Sequence, residues 1–161
     1  MHSIFHGLVL FLVIGCIVAE TPVQKCPKAR SPEDYKQSIT VGSCKKHPCR
    51  LRKGRVVDVE FRFTPEEDVK GLSNSVSALL GSLPFPFIGV DGTDACVNIF
   101  AADGTTKAGC PLKAGTSYVY KNHFEILPIY PLIRIVVHWG LVTSDGKDVM
   151  CFEVPAKITA S

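Results

Sequence analysis

The chain has 161 residues, a length that suits one domain with a hydrophobic core of its own. Its hydrophobic fraction of 46% is that of a globular protein and excludes a largely disordered chain. Its formal net charge of +3 is too small to indicate nucleic-acid binding by itself.

The N-terminal segment is typical of a secretory signal. Residues 2–16 are nearly all apolar and are followed by IVAE, so we predict cleavage after Ala19. The alternative is a membrane anchor, but the run is short for a bilayer span and no basic cluster follows it directly. We therefore expect a signal peptide over 1–19 and one soluble domain over 20–161, either secreted or in the lumen of endosomes and lysosomes.

Loss of this segment would remove Cys16 and leave six of the seven cysteines. An even number in an exported chain indicates disulfides rather than free thiols. Cys44 and Cys49 bracket the short loop KKHP, which suits a disulfide. The alternative is a metal site that includes His47, but no fourth ligand is spaced nearby. Spacing alone leaves many pairings open among Cys26, Cys44, Cys49, Cys96, Cys110 and Cys151.

Alternation of apolar and polar residues predicts strands along most of the domain. We expect strands at 38–44, 55–64, 69–81, 95–100, 115–127, 133–143 and 149–159, although 69–81 could also form a short helix. Asp145-Gly146 predicts a hairpin between the last two, with positive φ at both turn positions. About seven or eight antiparallel strands with little helix predict an all-β sandwich.

Short motifs follow one another along the chain in a distinctive order and spacing. They are Asp94-Ala95-Cys96, Cys110-Pro111-Leu112, Tyr118-Val119-Tyr120, Tyr130-Pro131, IVVHW at 135–139 and CFEVP at 151–155, preceded by Cys44-x4-Cys49, Lys53-Gly54 and Pro84-Phe85-Pro86-Phe87. In this pattern the chain resembles the Niemann-Pick type C2 proteins of the ML (lipid-recognition) domain family, over essentially the whole mature chain. The loop at 97–109 is longer than in mammalian members and looks more like the arthropod ones.

The resemblance implies the pairs Cys26–Cys151, Cys44–Cys49 and Cys96–Cys110. It also implies an immunoglobulin-like sandwich whose splayed sheets enclose a lipid cavity. The cavity mouth would fall on Phe87, Ile126 and Tyr130, in loops shaped by Pro86 and Pro131. We expect alanine at Phe87 or Tyr130 to weaken lipid binding and to change the melting temperature by only a few degrees.

The strand pattern independently predicts the inner walls of such a cavity. The inward-facing apolar residues are Val57, Val59, Phe61, Phe63, Val137 and Trp139. The alternative is that each of them is ordinary core. Phe87 and Tyr130 differ because they lie in proline-rich loops, where an aromatic side chain suits a gate or an interaction site.

The sequence therefore predicts a monomeric carrier of a sterol such as cholesterol, a fatty acid or a similar amphiphile, with no cofactor and no metal. No catalytic motif is present and the histidines are scattered, so we do not expect an enzyme.

The basic segment 45–55 is either a solvated face or a surface that docks on anionic membranes; without interleaved aromatics it does not suit nucleic acid. The alternatives are a carrier of semiochemicals, an immune sensor of microbial lipids and a cavity-free immunoglobulin-like interaction module.

Overall fold

Strands dominate the structure, a computed structural model that describes residues 21–27 and 39–161. Within these ranges the chain forms ten strands: β1 (Gln24–Lys25), β2 (Thr40–Val41), β3 (Cys49–Arg52), β4 (Val56–Phe63), β5 (Ser73–Leu80), β6 (Leu83–Pro86), β7 (Ile99–Ala101), β8 (Tyr118–Glu125), β9 (Arg134–Val142) and β10 (Asp148–Thr159). The predicted signal peptide at 1–19 lies outside the described residues. No helix in the described part of the chain is both long enough and apolar enough to cross a membrane.

The strands form two sheets, which confirms the predicted β-sandwich. A six-stranded sheet has the order β1-β10-β9-β5-β6, with β3 also paired to β10. A four-stranded sheet has the order β2-β4-β8-β7. The pairing of β3 with β10 is parallel, whereas the other pairs are antiparallel. Ten strands replace the expected seven or eight because several very short strands carry no readable alternation.

The longest predicted strands are confirmed with their inner faces as expected. In β4, Val59, Phe61 and Phe63 are buried, whereas the intervening Asp58 and Glu60 are exposed. The ambiguous segment 69–81 contains β5 and no helix. The segment 95–100 was only partly correct, since Cys96–Asn98 form a 3-10 helix before β7 begins.

The predicted β9–β10 hairpin is present, but its turn differs from the expectation. Gly146 has a φ of 78°, and no non-glycine residue in the described ranges has a positive φ, so Asp145 does not. The amide of Gly146 donates to the carbonyl of Thr143 at 2.9 Å, and the Lys147 amide donates to the Thr143 hydroxyl at 3.1 Å. Thr143 and Lys147 therefore pair across a loop of three residues, the last of which is the left-handed Gly146. The hydrogen bond from the Lys147 amide to the Thr143 hydroxyl stabilises this three-residue loop in place of the expected two-residue turn.

Three disulfides join the six cysteines of the described ranges in the pairs that the resemblance implied. Cys26–Cys151 connects β1 to β10, and Cys44–Cys49 connects the segment after β2 to the start of β3. Cys96–Cys110 closes the long loop that contains β7. With Cys44 and Cys49 joined, neither sulfur is a thiolate ligand, so the alternative metal site with His47 is not supported.

Candidate functional site

Two proline-containing loops meet at one end of the sandwich. Phe87 follows β6 directly and is 3% exposed, with its ring centroid 5.8 Å from that of Tyr130. The Tyr130 hydroxyl accepts a hydrogen bond from the amide of Ile88 at 3.2 Å. Ile126 is fully buried at the same end and belongs to the core cluster that Tyr130 packs against. The structure thus brings Phe87 and Tyr130 of the predicted mouth together, and Phe87 is buried.

An exposed apolar rim surrounds this meeting point. Pro86 and Pro131 are exposed on the two loops. The rim consists of Ile88, Ile129 and Leu132, which are 65%, 80% and 56% exposed. Sequence reasoning did not single out the rim, although large apolar residues beside prolines outside a strand were a usable signal.

A continuous series of aromatic rings runs from the mouth into the space between the sheets. From Phe87, the next ring is Phe124, with centroids 5.0 Å apart, and Trp139 follows at 5.6 Å. Tyr120 lies 6.2 Å beyond Trp139, and Phe61 stacks on Tyr120 at 4.7 Å. We call these residues, together with Tyr130, the aromatic series.

Phe124 and Tyr120 were missed at the sequence level. Both lie on β8, whose inward positions are Tyr118, Tyr120 and Phe124, and all three are buried. The alternation in 115–127 could have identified them in the same way as the β4 residues.

Five of the six predicted wall residues lie in the interior of the sandwich, and the sixth, Val57, is partly buried and also lines a groove at its edge. Val59, Phe61, Phe63, Val137 and Trp139 are buried, and Val57 is partly buried against the same core. Burial places them between the sheets, where either a ligand wall or ordinary packing is compatible with their position. Their role in binding a ligand therefore stays a prediction.

A buried polar cluster lies at the inner part of the aromatic series. The Tyr120 hydroxyl donates to Oδ1 of Asn74 and accepts from Nδ2 of Asn122 at 2.7 Å. Nδ2 of Asn74 donates to the Thr93 hydroxyl at 2.9 Å. Burial raises the pKa of Tyr120, so its hydroxyl is protonated and available as a donor.

The basic segment forms one side of a groove of about 640 Å³ at the edge of the sandwich. Its basic lining residues are Lys45, Lys46, Arg50, Arg52 and Arg55, and its apolar ones include Val41, Leu51, Val56 and Val57. None of these cations forms a salt bridge with an acidic residue in the described ranges. We call this feature the basic groove.

The basic groove adjoins the mouth. The amide of Ile126 donates to the carbonyl of Arg55 at 2.9 Å, and the amide of Gly54 donates to the carbonyl of Ile126 at 2.6 Å. The groove and the apolar rim therefore lie at neighbouring positions of the same end of the sandwich.

The three histidines of the described ranges, His47, His123 and His138, form no catalytic arrangement with one another. His138 is partly buried on the outer face of β9, with Nδ1 3.5 Å from Oε1 of Glu153, as expected for a hydrogen-bonded histidine. Nδ1 also lies 3.7 Å from the sulfur atoms of Cys26 and Cys151. These sulfurs are joined in a disulfide, so they are not available as metal ligands. The ring of His47 instead bonds to the carbonyl of Pro22.

Comparison with known proteins gives consistent matches over the domain. The sequence model of the ML domain matches residues 20–158. The "NPC intracellular cholesterol transporter 2 homolog a" of Drosophila melanogaster is 34% identical over 115 residues, which cover 70% of this chain and 71% of that protein. The "NPC intracellular cholesterol transporter 2" of Canis lupus familiaris is 29% identical over 126 residues, 76% of each chain. The crystal structure of a Niemann-Pick type C2 protein from Japanese carpenter ant is 25% identical, with a TM-score of 0.63 over 75% of this chain and 89% of that one.

Proposed function

Because the chain belongs to the ML domain family, and within it to the Niemann-Pick type C2 proteins, we propose that it is a non-covalent lipid carrier. It takes a sterol such as cholesterol, a fatty acid or a similar amphiphile between its two sheets. It acts as a monomer in the extracellular fluid or in the lumen of endosomes and lysosomes, after removal of residues 1–19. Its work is transfer, not chemical conversion of the lipid.

The aromatic series is the observation that carries this proposal. It begins at Tyr130, which is partly exposed in a loop, and ends at Phe61, which is fully buried. Between them each ring contacts the next, so the series supplies a continuous line of apolar contacts along which a lipid would enter the interior. Replacing ring–ring contacts breaks no backbone hydrogen bond, whereas separating paired strands would, so a lipid can take the place of these contacts without breaking either sheet.

The energetics of burial suit a carrier. A sterol or acyl chain that loses a few hundred Å² of apolar surface to the interior gains about 25 cal/mol per Å². Lost translational and rotational freedom offsets a large part of this gain, so the net binding is much weaker than the burial term alone. Binding of moderate strength holds the lipid in transit and still allows its release.

The end that holds the mouth is also suited to transient contact with an anionic membrane. The apolar rim of Ile88, Ile129 and Leu132 can enter the interfacial region of a bilayer. The adjoining basic groove contributes about 1 kcal/mol for each cation held near an anionic surface. Contact at this end would place the mouth against the membrane, so the lipid would not cross water during transfer.

Native mass spectrometry of the secreted protein, followed by lipid analysis of its solvent extract, tests the proposal. We expect a co-purifying sterol, fatty acid or similar amphiphile at near-stoichiometric occupancy. Protein stripped of lipid should take up cholesterol or oleate and show the corresponding mass increase. The same protein unfolded in denaturant serves as the control for non-specific adhesion.

A clean apo mass, combined with failure to take up cholesterol, oleate or a mixed lipid extract, would contradict the proposal. The chain would then be a filled immunoglobulin-like interaction module, and the predicted wall residues would be core. A co-purifying semiochemical or microbial lipid would keep the carrier function and change the physiological ligand.

A further inference from the structure

Three cations lie side by side on the outer face of the six-stranded sheet. Lys157 on β10 lies directly opposite Arg50 on β3 at one side and directly opposite Arg134 on β9 at the other. All three side chains are exposed, whereas Leu51 and Ile135, which follow the two arginines along their strands, are buried on the inner face. We call Arg50, Lys157 and Arg134 the cation row.

The cation row has no acidic partner in the part of the chain that the structure describes. None of its three members takes part in a salt bridge there. On β10, the acidic residue nearest to Lys157 is Glu153, about 13 Å away along the strand, and it pairs with His138. Like charges directly opposite each other on neighbouring strands destabilise a sheet. The row is therefore a local cost to the fold, and bound anions would remove that cost.

The spacing of these cations suits an extended ligand with closely repeated anionic groups. Neighbouring strands are about 5 Å apart, so the row spans about 10 Å across β3, β10 and β9. Arg52 adds a further exposed cation on the same face of β3, about 7 Å along the strand from Arg50. A single small anion would reach only part of this array, whereas a linear polyanion can contact all of it.

The direction of the side chains separates the cation row from the membrane contact proposed for the mouth. Side chains stand roughly perpendicular to a sheet, so the row points sideways from the sandwich. The mouth lies at the end of the sandwich, and Arg134 follows Leu132 of the apolar rim by two residues. A bilayer that covers the rim would therefore lie across the strand ends and leave the row open at its side to a different partner.

We propose that the cation row binds a sulfated glycan, whose chain lies across β3, β10 and β9. Arg50 and Arg134 present forked donors that match the oxygens of a sulfate group, and Lys157 supplies a point charge between them. Sulfated glycans carry several anionic groups in each repeat, which the close spacing of the row requires. A glycan with sparse carboxylates would leave part of the row unpaired. Binding at this face would hold the protein at a cell surface or in the matrix with its mouth free.

Calorimetric titration of lipid-free protein with a heparin-derived hexasaccharide tests the proposal. The double variant Arg134→Gln with Lys157→Gln should bind this probe roughly tenfold more weakly than the parent, because two exposed charge pairs are lost. Binding by the parent should weaken as salt is added, and a hyaluronan hexasaccharide, which has carboxylates and no sulfates, should bind far less. The matched control is Lys70→Gln with Lys113→Gln, which removes the same charge from two exposed loop positions and should bind like the parent.

Two further measurements make the result specific to the row. Backbone amide NMR of the parent should show shifts on adding the hexasaccharide that centre on positions 50, 134 and 157. The melting temperature of the Arg134→Gln, Lys157→Gln variant should not fall, because repulsion between like charges is relieved.

Three outcomes would overturn the proposal. Equal weakening in the two double variants would show that binding follows net charge alone. Equal affinity of the parent for hyaluronan would remove the assignment to sulfate. Slower lipid transfer from the row variant to anionic vesicles, with heparin binding unchanged, would make the row a membrane contact. Lipid uptake by the row variant should equal that of the parent, so failure of this inference and failure of the carrier function are separate results.

Discussion

Phe87 should be the most informative residue of the proposed mouth, because its ring contributes to stability and, in the proposed carrier, would also close the route inward. It is 3% exposed and packs edge-to-face on Phe124 and on Tyr130. Truncating a buried phenylalanine to alanine costs about 3–5 kcal/mol, since apolar contacts are lost and a cavity remains. Each kcal/mol lowers the melting temperature of a domain of this size by roughly 2–4 °C. We therefore expect Phe87→Ala to melt about 10 °C below the parent, which corrects the sequence-based expectation of only a few degrees.

The measurement is thermal unfolding of lipid-free protein by calorimetry, since bound lipid would add its own stabilisation. Phe85→Ala is the matched control. Phe85 lies two residues earlier in the same segment and is 50% exposed, so its replacement should change the melting temperature by no more than about 2 °C. In the lipid-loaded state, Phe87→Ala should also release lipid faster than Phe85→Ala, because the mouth is no longer closed by a ring.

Equal melting temperatures for the two variants would refute the reasoning, because the ring of Phe87 would then not be buried in solution. A large drop in melting temperature with unchanged lipid release would separate the two roles. Phe87 would remain a core residue, and the mouth assignment would be wrong.

Three further predictions concern the disulfides, a carboxylate and the basic groove. Replacing Cys26 and Cys151 with serines should destabilise the fold by roughly 5 kcal/mol. The same change at Cys44 and Cys49 should cost roughly 2 kcal/mol, because that disulfide closes a far shorter loop. Denaturant unfolding measures both losses. The Ala114 amide and then the Lys113 ammonium hold the pKa of Asp68 below its ordinary value of 3.8. NMR titration of Asp68 should show the lowered pKa. The interactions of the Asp68 carboxylate with Ala114 and Lys113 should stabilise the fold at pH values above 3.8, and this stabilisation should be lost as the pH falls through the lowered pKa. Neutralising four of the five cations of the basic groove, at positions 45, 46, 50 and 52, should slow lipid transfer to anionic vesicles and leave equilibrium binding nearly unchanged. A parent that transfers equally fast to neutral and anionic vesicles would contradict the docking role.

The sequence predicts those strands whose alternation runs over many residues. β4, β9 and β10 have eight or more residues each, and their buried and exposed positions follow a period of two almost throughout. By contrast, β1 and β2 have two residues each, which is too few to show any period. β1 forms only because it pairs with β10, and β2 because it pairs with β4. A local sequence pattern cannot reveal such pairing.

The site is less predictable than the fold because it depends on which faces meet. The pattern shows that Trp139 points inward, and the resemblance brings Phe87 and Tyr130 to one end. Neither shows that Tyr120 and Asn74, 46 residues apart in sequence, share a hydrogen bond across the two sheets. That contact depends on the relative position of β8 and β5, which belong to different sheets and are not paired.

In the proposed carrier, closure of the mouth and stability of the fold would be coupled. In the described part of the chain, no disulfide joins the loop of Phe87 to the loop of Tyr130, so their contact rests on ring packing and on the bond from the Ile88 amide to the Tyr130 hydroxyl. A lipid that entered there would have to displace the same contacts that stabilise the empty protein. Stronger packing at Phe87 would therefore raise stability and slow lipid exchange, whereas weaker packing would do the reverse. A carrier needs an intermediate strength, because it must remain folded when empty and still release its lipid at the membrane.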